Sequence, residues 1–172
     1  MDFDLLTREY PMHIGIISDT HGNRLMVTRA LTELRERGIT TLLHCGDIDD
    51  PQTVAMFHGF TAHFVFGNCD IDRAALRDAM NAIGATLHDT FGSVEWEGVK
   101  LAFTHGDDTR LLRDVERSGY YDFLFYGHTH QAEEHRNGST RIVNPGALHR
   151  ARPKSFVVLD LGKREIESVS VE

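Results

Sequence analysis

Five short clusters in the sequence combine histidine, aspartate or asparagine with a glycine. They read DTHGN from Asp19, CGD from Cys45, GNCD from Gly67, HGD from His105 and GHTH from Gly127, in a chain with eleven histidines. Carboxylates and imidazoles without a set of thiolates suit Mn²⁺, Fe²⁺, Co²⁺, Ni²⁺ or Zn²⁺ better than Ca²⁺ or a structural zinc ion. The donors suffice for two ions that share one carboxylate, and such a pair can bind a phosphate group and activate water.

Each cluster follows a short apolar segment that is predicted to be a strand, over residues 13–18, 40–45, 62–66, 100–104 and 121–126. Helical periodicity predicts helices over residues 24–37, 51–58, 73–83 and 110–118. The other strands are predicted to form hairpins: 93–97 with 100–104, one around Asn137-Gly138, and 155–161 with 165–171. This order predicts a one-domain α/β fold of two packed mixed sheets with helices outside. Ligands bind beyond the carboxyl ends of strands in such folds, so we expect the clusters to meet there.

The composition sets limits on the compartment and on the partners. Hydrophobic residues make up 41% and charged residues 26% of the 172 residues, as in an ordinary globular domain. Two cysteines are too few for a disulfide framework, and the acidic first residues do not form a secretory signal. No apolar run reaches the ~18 residues that a membrane span requires. We therefore expect a cytoplasmic protein without a membrane partner. The net charge of −8, with no basic cluster, also argues against binding to duplex nucleic acid.

Taken in order, the five clusters resemble those of the calcineurin-like metallophosphoesterase superfamily. The likeness is strongest to its small prokaryotic YfcE-type phosphodiesterase branch, and it includes the segment Asn144-Pro145-Gly146. The resemblance runs from about Met12 to the C-terminus. It implies a four-layer α/β/β/α sandwich over residues 12–172, preceded by an N-terminal extension over residues 1–11.

The resemblance also implies three ligands for each of two metal ions and one shared carboxylate. These are Asp19, His21 and His130 for the first ion, Asn68, His105 and His128 for the second, and Asp47 between them. A hydroxide between the ions would attack phosphorus in line, and Asp47, Asn68 and His105 would act catalytically through this hydroxide and by positioning the phosphate. Manganese is the favoured ion; nickel, zinc, iron, cobalt and magnesium are alternatives.

Two positions depart from the pattern of many superfamily members. Cys69 stands where larger members carry a histidine that is thought to protonate the leaving group, and a thiol is a poor general acid. We therefore expect activated leaving groups or a different proton donor. Asp107 stands where many relatives have histidine. This position is expected near the substrate, so the difference bears on which substrate the protein prefers. The candidate substrate-binding residues are Cys69, Asp70, Asn144 and His149. Asp70 has an alternative role as a helix cap, because it precedes a predicted helix.

The function predicted from the sequence is metal-dependent hydrolysis of a small phosphate ester, a phosphodiester rather than a monoester. A nucleotide or a cyclic nucleotide is a candidate substrate, and a homo-oligomer is compatible with the sequence. Two alternatives stay open. One is a catalytically silent protein-binding scaffold, because a subunit of the eukaryotic retromer has this fold and acts chiefly by binding partners. The other is a metal-dependent nucleotide sensor that binds its ligand without hydrolysing it.

Overall fold

Two mixed β-sheets form the centre of the computed structural model, which describes residues 13–172. The first sheet contains β1 His13–Ile17, β2 Thr41–His44, β3 Thr61–Phe64, β4 Thr86–Leu87, β10 Lys154–Asp160 and β11 Glu165–Val171, in the order β11-β10-β1-β2-β3-β4. The second sheet contains β5 Phe91–Trp96, β6 Val99–Thr104, β7 Phe123–Phe125, β8 Glu133–Asn137 and β9 Thr140–Asn144, in the order β5-β6-β7-β9-β8. The predicted extension over residues 1–11 lies outside the described residues.

Each helix begins at a residue whose side chain caps it. The helices are α1 Arg24–Glu36, α2 Pro51–Ala55, α3 Arg73–Ala82 and α4 Thr109–Ser118. Their N-caps are Asn23, Asp50, Asp72 and Asp108, and each cap side chain accepts a hydrogen bond from a backbone N–H of the first turn. Such bonds satisfy donors that have no partner within the helix. The helix α4 ends at Gly119, which has a φ of 63° that glycine adopts without steric cost.

Three buried clusters hold the layers together. Val27, Leu31 and Leu34 of α1 pack with other helical residues against the outer face of the first sheet. Between the sheets, side chains such as Ile16 and Phe103 form a second cluster. The third cluster joins α4 to the outer face of the second sheet. The layers therefore follow the order helix, sheet, sheet, helix, and the predicted four-layer α/β/β/α sandwich is confirmed.

Parallel pairing brings several strand ends to one edge of the molecule. In the first sheet β1, β2 and β3 are parallel, with Ile17 beside His44 and His44 beside Phe64. In the second sheet β6, β7 and β9 are also parallel. The loops that follow β1, β2, β3, β6 and β7 carry the five polar clusters. Clusters that are far apart along the chain therefore lie next to one another in space.

Most predicted boundaries lie within two residues of the observed ones, and two elements differ more. The strand β4 was not predicted, because two residues contain too little alternation to indicate a strand. The helix α2 ends before the predicted residue 58, and the chain turns through Gly59, which has a φ of 89°. Within residues 13–172, no helix combines the length and the apolar character needed to cross a membrane.

Candidate metal centre

The structure brings together all seven residues that were predicted to bind metal. They come from loops after five different strands: Asp19 and His21 follow β1, Asp47 follows β2, Asn68 follows β3, His105 follows β6, and His128 and His130 follow β7. Backbone hydrogen bonds join these loops, since Asp19 N–H donates to Gly46 O at 3.1 Å and Gly127 N–H donates to His105 O at 2.8 Å. His128 N–H of the second sheet donates to Oδ2 of Asp19 of the first at 3.0 Å, so the loops of both sheets form one polar surface.

One group of donors surrounds the buried carboxylate of Asp19. The Nε2 atoms of His21 and His130 lie 3.3 Å apart. Oδ1 of Asp19 lies 3.2 Å from Nε2 of His130 and 3.8 Å from Nε2 of His21. The interaction with Asp19 raises the pKa of His21 to about 9, although burial opposes the shift. This geometry fits the predicted first ion, because one carboxylate oxygen and two imidazole nitrogens converge there and a divalent cation would replace the proton that the raised pKa places on His21.

The second group is centred on the amide oxygen of Asn68. This oxygen lies 3.0 Å from Nε2 of His105 and 3.0 Å from Nδ1 of His128. The other ring nitrogen of His105, Nδ1, donates a hydrogen bond to the carbonyl oxygen of Cys45 at 2.8 Å. This bond fixes the imidazole so that Nε2 faces Asn68. The three side chains match the donors that were predicted for the second ion.

Asp47 lies between the two groups. Its Oδ2 is 3.4 Å from Nε2 of His21 and 3.2 Å from Nε2 of His105. Burial alone would raise the pKa of Asp47, but the hydrogen bond and charge of His105 outweigh it, and the pKa falls to about 2. The other oxygen, Oδ1, accepts a hydrogen bond from the backbone N–H of Cys69 at 2.8 Å. A side chain at Gly67 would collide with the backbone nitrogen of Asp47, so this approach requires glycine.

The buried oxygen Oδ1 of Asp19 tests whether the donors fit metal ions. Oδ2 of the same carboxylate accepts hydrogen bonds from Ser18 Oγ at 2.6 Å and from His128 N–H at 3.0 Å. Oδ1 accepts none within the described chain, although Asp19 is fully buried. A buried carboxylate oxygen without a donor is costly unless a cation faces it. The donor chemistry and this unsatisfied atom fit divalent metal ions.

Strained backbone conformations concentrate at the site. Ten non-glycine residues in the range 13–172 have a positive φ, which costs of the order of 1–3 kcal/mol at each position. Seven of the ten belong to the site, with values between 41° and 77°: Asp19, His21, Asp47, Asp49, His128, His130 and Arg150. Such strain persists where the surroundings hold the backbone firmly, which is common at functional sites.

Two of the candidate substrate-binding residues instead support the loops. The buried carboxylate of Asp70 accepts four backbone hydrogen bonds of 2.7–3.0 Å, from Asp47, Ile48, Asp49 and Gly67. The cap of the following helix is Asp72 rather than Asp70. Buried Asn144 donates to Gly127 O at 2.9 Å and to Thr129 Oγ1 at 3.0 Å, and so supports the loop after β7. Neither side chain lines the cavity above the donors.

His44 supports the floor of the site from below. Its Nδ1 accepts a hydrogen bond from Gly46 N–H at 3.1 Å, and its Nε2 lies 3.2 Å from Thr20 Oγ1. Complete burial lowers the pKa of His44 to about 3, so the ring is neutral. His44 therefore packs beneath the site and holds the loops after β1 and β2 in place.

A cavity of about 430 Å³ opens above the donors. Of the remaining candidate substrate-binding residues, Cys69 and His149 line it. The exposed thiol of Cys69 keeps its proton, because partial desolvation and the charge of Asp47 raise its pKa to about 11. The His149 ring lies 5.2 Å from the His21 ring, measured between centroids.

Two residues that line the cavity were not predicted, Asp49 and Arg150. Asp49 stands two residues after the predicted ligand Asp47, and this spacing is also found between the paired ligands Asp19 and His21. The two-residue spacing could therefore have indicated Asp49 as a residue of the site. Arg150 directly follows the candidate His149, but no motif distinguishes it from other surface arginines.

Residues 12–164 match the calcineurin-like phosphoesterase superfamily domain, and the chain belongs to that superfamily. Phosphodiesterase MJ0936 of Methanocaldococcus jannaschii is 30% identical over 166 residues, which cover 94% of this chain and all of the relative. The solved structure of an archaeal phosphodiesterase is similar with a TM-score of 0.86 at 29% identity, covering 94% of this chain and all of that one.

The phosphoesterase YfcE of E. coli shares the fold, with a TM-score of 0.68 at 21% identity over 94% of this chain and all of that one. The predicted membership of the small YfcE-type branch is confirmed. The protein is a metallophosphoesterase, and the family implies divalent metal ions as cofactors.

Proposed function

We propose that the protein is a phosphodiesterase that uses two divalent metal ions, held by the two donor groups described above. The observation that carries the proposal is the position of Asp47, whose Oδ2 lies 3.4 Å from a nitrogen of His21 and 3.2 Å from a nitrogen of His105. One carboxylate oxygen between two separate sets of donors is the arrangement that two neighbouring ions require. Manganese is the ion that we favour, and nickel, zinc, iron, cobalt and magnesium remain compatible.

Two divalent ions in these positions would lower the pKa of a shared water molecule and neutralise charge on the phosphoryl group. The protein residues orient the donors in advance. Asp49 and the carbonyl oxygen of Cys45 each occupy one ring nitrogen, of His21 and of His105 respectively. The backbone N–H of Cys69 holds Oδ1 of Asp47 at 2.8 Å. Orientation before substrate binds removes a reorganisation cost from the reaction.

The cavity supports a diester as the substrate. Its volume of about 430 Å³ lies within the range of small-molecule sites and leaves room for groups on both sides of a phosphate. The relative with 30% identity is itself named a phosphodiesterase. Of the candidate substrates, cyclic nucleotides are phosphodiesters, whereas mononucleotides are phosphate monoesters. Cys69 offers no efficient general acid, so esters of acidic alcohols such as p-nitrophenol are the most suitable first substrates.

The test is hydrolysis of bis(p-nitrophenyl) phosphate by metal-stripped protein that is resupplied with Mn²⁺, Ni²⁺, Zn²⁺ or Mg²⁺. Bound metal per chain is measured in parallel by elemental analysis, and p-nitrophenyl phosphate provides the comparison with a monoester. We expect two ions per chain, metal-dependent turnover and a higher kcat/KM for the diester. Asp47→Asn should reduce turnover by at least about a hundredfold, because it removes the shared negative charge.

Asp78→Asn is the matched control, because it makes the same chemical change at an exposed position on α3. Its turnover should equal that of the unmodified protein. Two bound ions without turnover of either ester would contradict the proposal and favour the nucleotide sensor or the protein-binding scaffold. A clear preference for the monoester would contradict the diesterase assignment alone.

A further inference from the structure

Arg150 lies on the rim of the cavity, where its charge differs from that of its surroundings. The cavity is lined by Asp47 and Asp49, by four histidines, by Asn68 and by Cys69. Among the described residues of this lining, Arg150 is the single lysine or arginine. The whole chain has a net charge of −8, so a cation at this position is not part of a general basic surface.

The guanidinium of Arg150 has no carboxylate partner within residues 13–172. Other arginines of the chain do form ion pairs, as Arg37 does with Glu167 at 2.9 Å and Arg164 with Asp122 at 2.8 Å. Arg150 directly follows His149 in the chain, and both residues line the cavity. An unpaired cation that faces a cavity is available to a ligand.

The backbone at Arg150 shares the strained conformation of the metal-site residues. Its φ of 48° lies in the left-handed region, which arginine rarely adopts. The preceding segment is firmly held, because Ala147 and Leu148 are fully buried and the carbonyl oxygen of Leu148 accepts a hydrogen bond from Asn23 at 2.8 Å. The direction in which Arg150 leaves the loop is therefore fixed by the fold.

The depth of Arg150 distinguishes it from the residues of the cavity floor. Asp47 is 2% exposed, whereas Arg150 is an exposed residue of the rim. A phosphate that reacts at the floor occupies only part of a cavity of about 430 Å³. A guanidinium on the rim would therefore meet the part of the substrate that projects outward. Its planar set of donors matches the oxygens of a phosphate group.

We propose that Arg150 binds a second phosphate group, so that the protein prefers phosphodiesters in which one ester-linked alcohol carries its own phosphate monoester. This inference rests on the proposed phosphodiesterase function. It assigns to Arg150 the choice between substrates, whereas the cleavage itself depends on the floor of the site. A phosphate monoester is favoured over a neutral sugar or base because only an anion gains from the unpaired guanidinium.

The test compares two chromogenic diesters that share one leaving group. They are the p-nitrophenyl ester of thymidine 5′-phosphate and the same ester with an additional 3′-phosphate. The protein loaded with Mn²⁺ should hydrolyse the 3′-phosphorylated ester with a kcat/KM about tenfold higher, mainly through a lower KM. In Arg150→Gln the ratio of the two kcat/KM values should fall to about one. Arg150→Lys should keep part of the preference, because an ammonium retains the charge without the planar fork.

Arg152→Gln is the matched control, since Arg152 is exposed nearby but does not line the cavity, and the preference should persist in this variant. Equal kcat/KM values for the two esters in the unmodified protein would overturn the inference and leave the phosphodiesterase proposal standing. An equal loss for both esters in Arg150→Gln would also overturn it, because Arg150 would then act on the scissile phosphate. Failure to hydrolyse either ester would contradict the phosphodiesterase proposal itself.

Discussion

Nδ1 of His21 lies 3.1 Å from Oδ2 of Asp49, on the side of the ring opposite to the proposed metal position. Nε2 of the same ring faces the carboxylates of Asp19 and Asp47. Histidines that bind metals commonly donate their other ring N–H to a carboxylate, which fixes the ring and increases its basicity. We therefore expect Asp49 to act as a positioning residue for His21.

Replacing Asp49 by asparagine should weaken metal binding without changing the fold. Asparagine tolerates the left-handed backbone of this residue, whose φ is 77°. The amide is a weaker acceptor than the carboxylate, so we expect about tenfold lower affinity for Mn²⁺, at the lower end of the usual range for such partners. Titration calorimetry on metal-stripped protein measures this affinity. Asp50→Asn is the control, because Asp50 caps α2 and asparagine caps equally well. If Asp49→Asn bound Mn²⁺ as tightly as Asp50→Asn does, Asp49 would not position His21.

Metal ions should also stabilise the protein, through the unsatisfied Oδ1 atom of Asp19. At a metal concentration of about 100 times Kd, binding adds about 2.7 kcal/mol to the free energy of unfolding. This corresponds to a rise in Tm of roughly 5–10 °C for a domain of this size. Scanning calorimetry with EDTA and then with Mn²⁺ measures the rise.

In Asp19→Asn most of this rise should disappear, because a neutral amide is a weak ligand. Scanning calorimetry of the metal-free variant sets its own baseline, because the substitution also removes the interaction of Asp19 with His21 and His130. A metal-induced rise of full size in Asp19→Asn would show that Asp19 is not a ligand.

The sequence predicts the positions of the proposed ligands because their signal is local. Asp19 and His21, or His128 and His130, are two residues apart directly after an apolar strand, and parallel pairing carries each such loop to the same edge. The layers were also predictable, because strand and helix periods alternate along the chain. The two-residue strand β4 was not, since its pairing with β3 defines it.

The role of Asp70 and the proposed role of Arg150 were not predictable, for a different reason. Asp70 precedes a helix, and aspartate favours the cap position there, so the local signal indicates a cap. Its actual hydrogen bonds reach Ile48 and Asp49, which lie 22 and 21 residues away in the chain. Arg150 is exposed like many arginines, and only the folded structure shows that it lines the cavity above the donors. Both roles depend on how distant segments meet.

Removing the charge of Asp70 should lower the free energy of unfolding by more than the loss of a helix N-cap would. In Asp70→Asn one carboxylate oxygen becomes an amide group, which would face backbone N–H donors such as those of Asp47 and Gly67. We expect a loss of about 3 kcal/mol in the free energy of unfolding, measured in urea on metal-free protein. Asp72→Asn is the control two residues away and should change the stability little, because asparagine also caps helices well. Similar losses in the two variants would contradict this role of Asp70.

Acid sensitivity should arise in part from a histidine pair outside the proposed metal centre. Nδ1 of His63 lies 2.9 Å from Nε2 of His88, and the His63 ring also contacts Trp96 at 5.2 Å between centroids. Burial, with a contribution from His88, lowers the pKa of His63 to about 4. The unfolded chain, with a histidine pKa of about 6.5, therefore binds more protons than the folded protein between about pH 6.5 and 4. The free energy of unfolding consequently falls as the pH falls through this window.

His63→Gln should remove this contribution to the pH dependence. Since His63 is only partly buried, solvent screening reduces its contribution to roughly 1 kcal/mol, or a Tm difference of about 2–4 °C. Thermal unfolding at pH 7.5 and pH 4.5, both in EDTA, should therefore give a smaller decrease in Tm for His63→Gln than for the unmodified protein. His58→Gln removes an exposed histidine and should show the same decrease as the unmodified protein. Equal decreases in all three proteins would exclude His63 as a source of the acid sensitivity, because its proton uptake would then not differ between the folded and unfolded states.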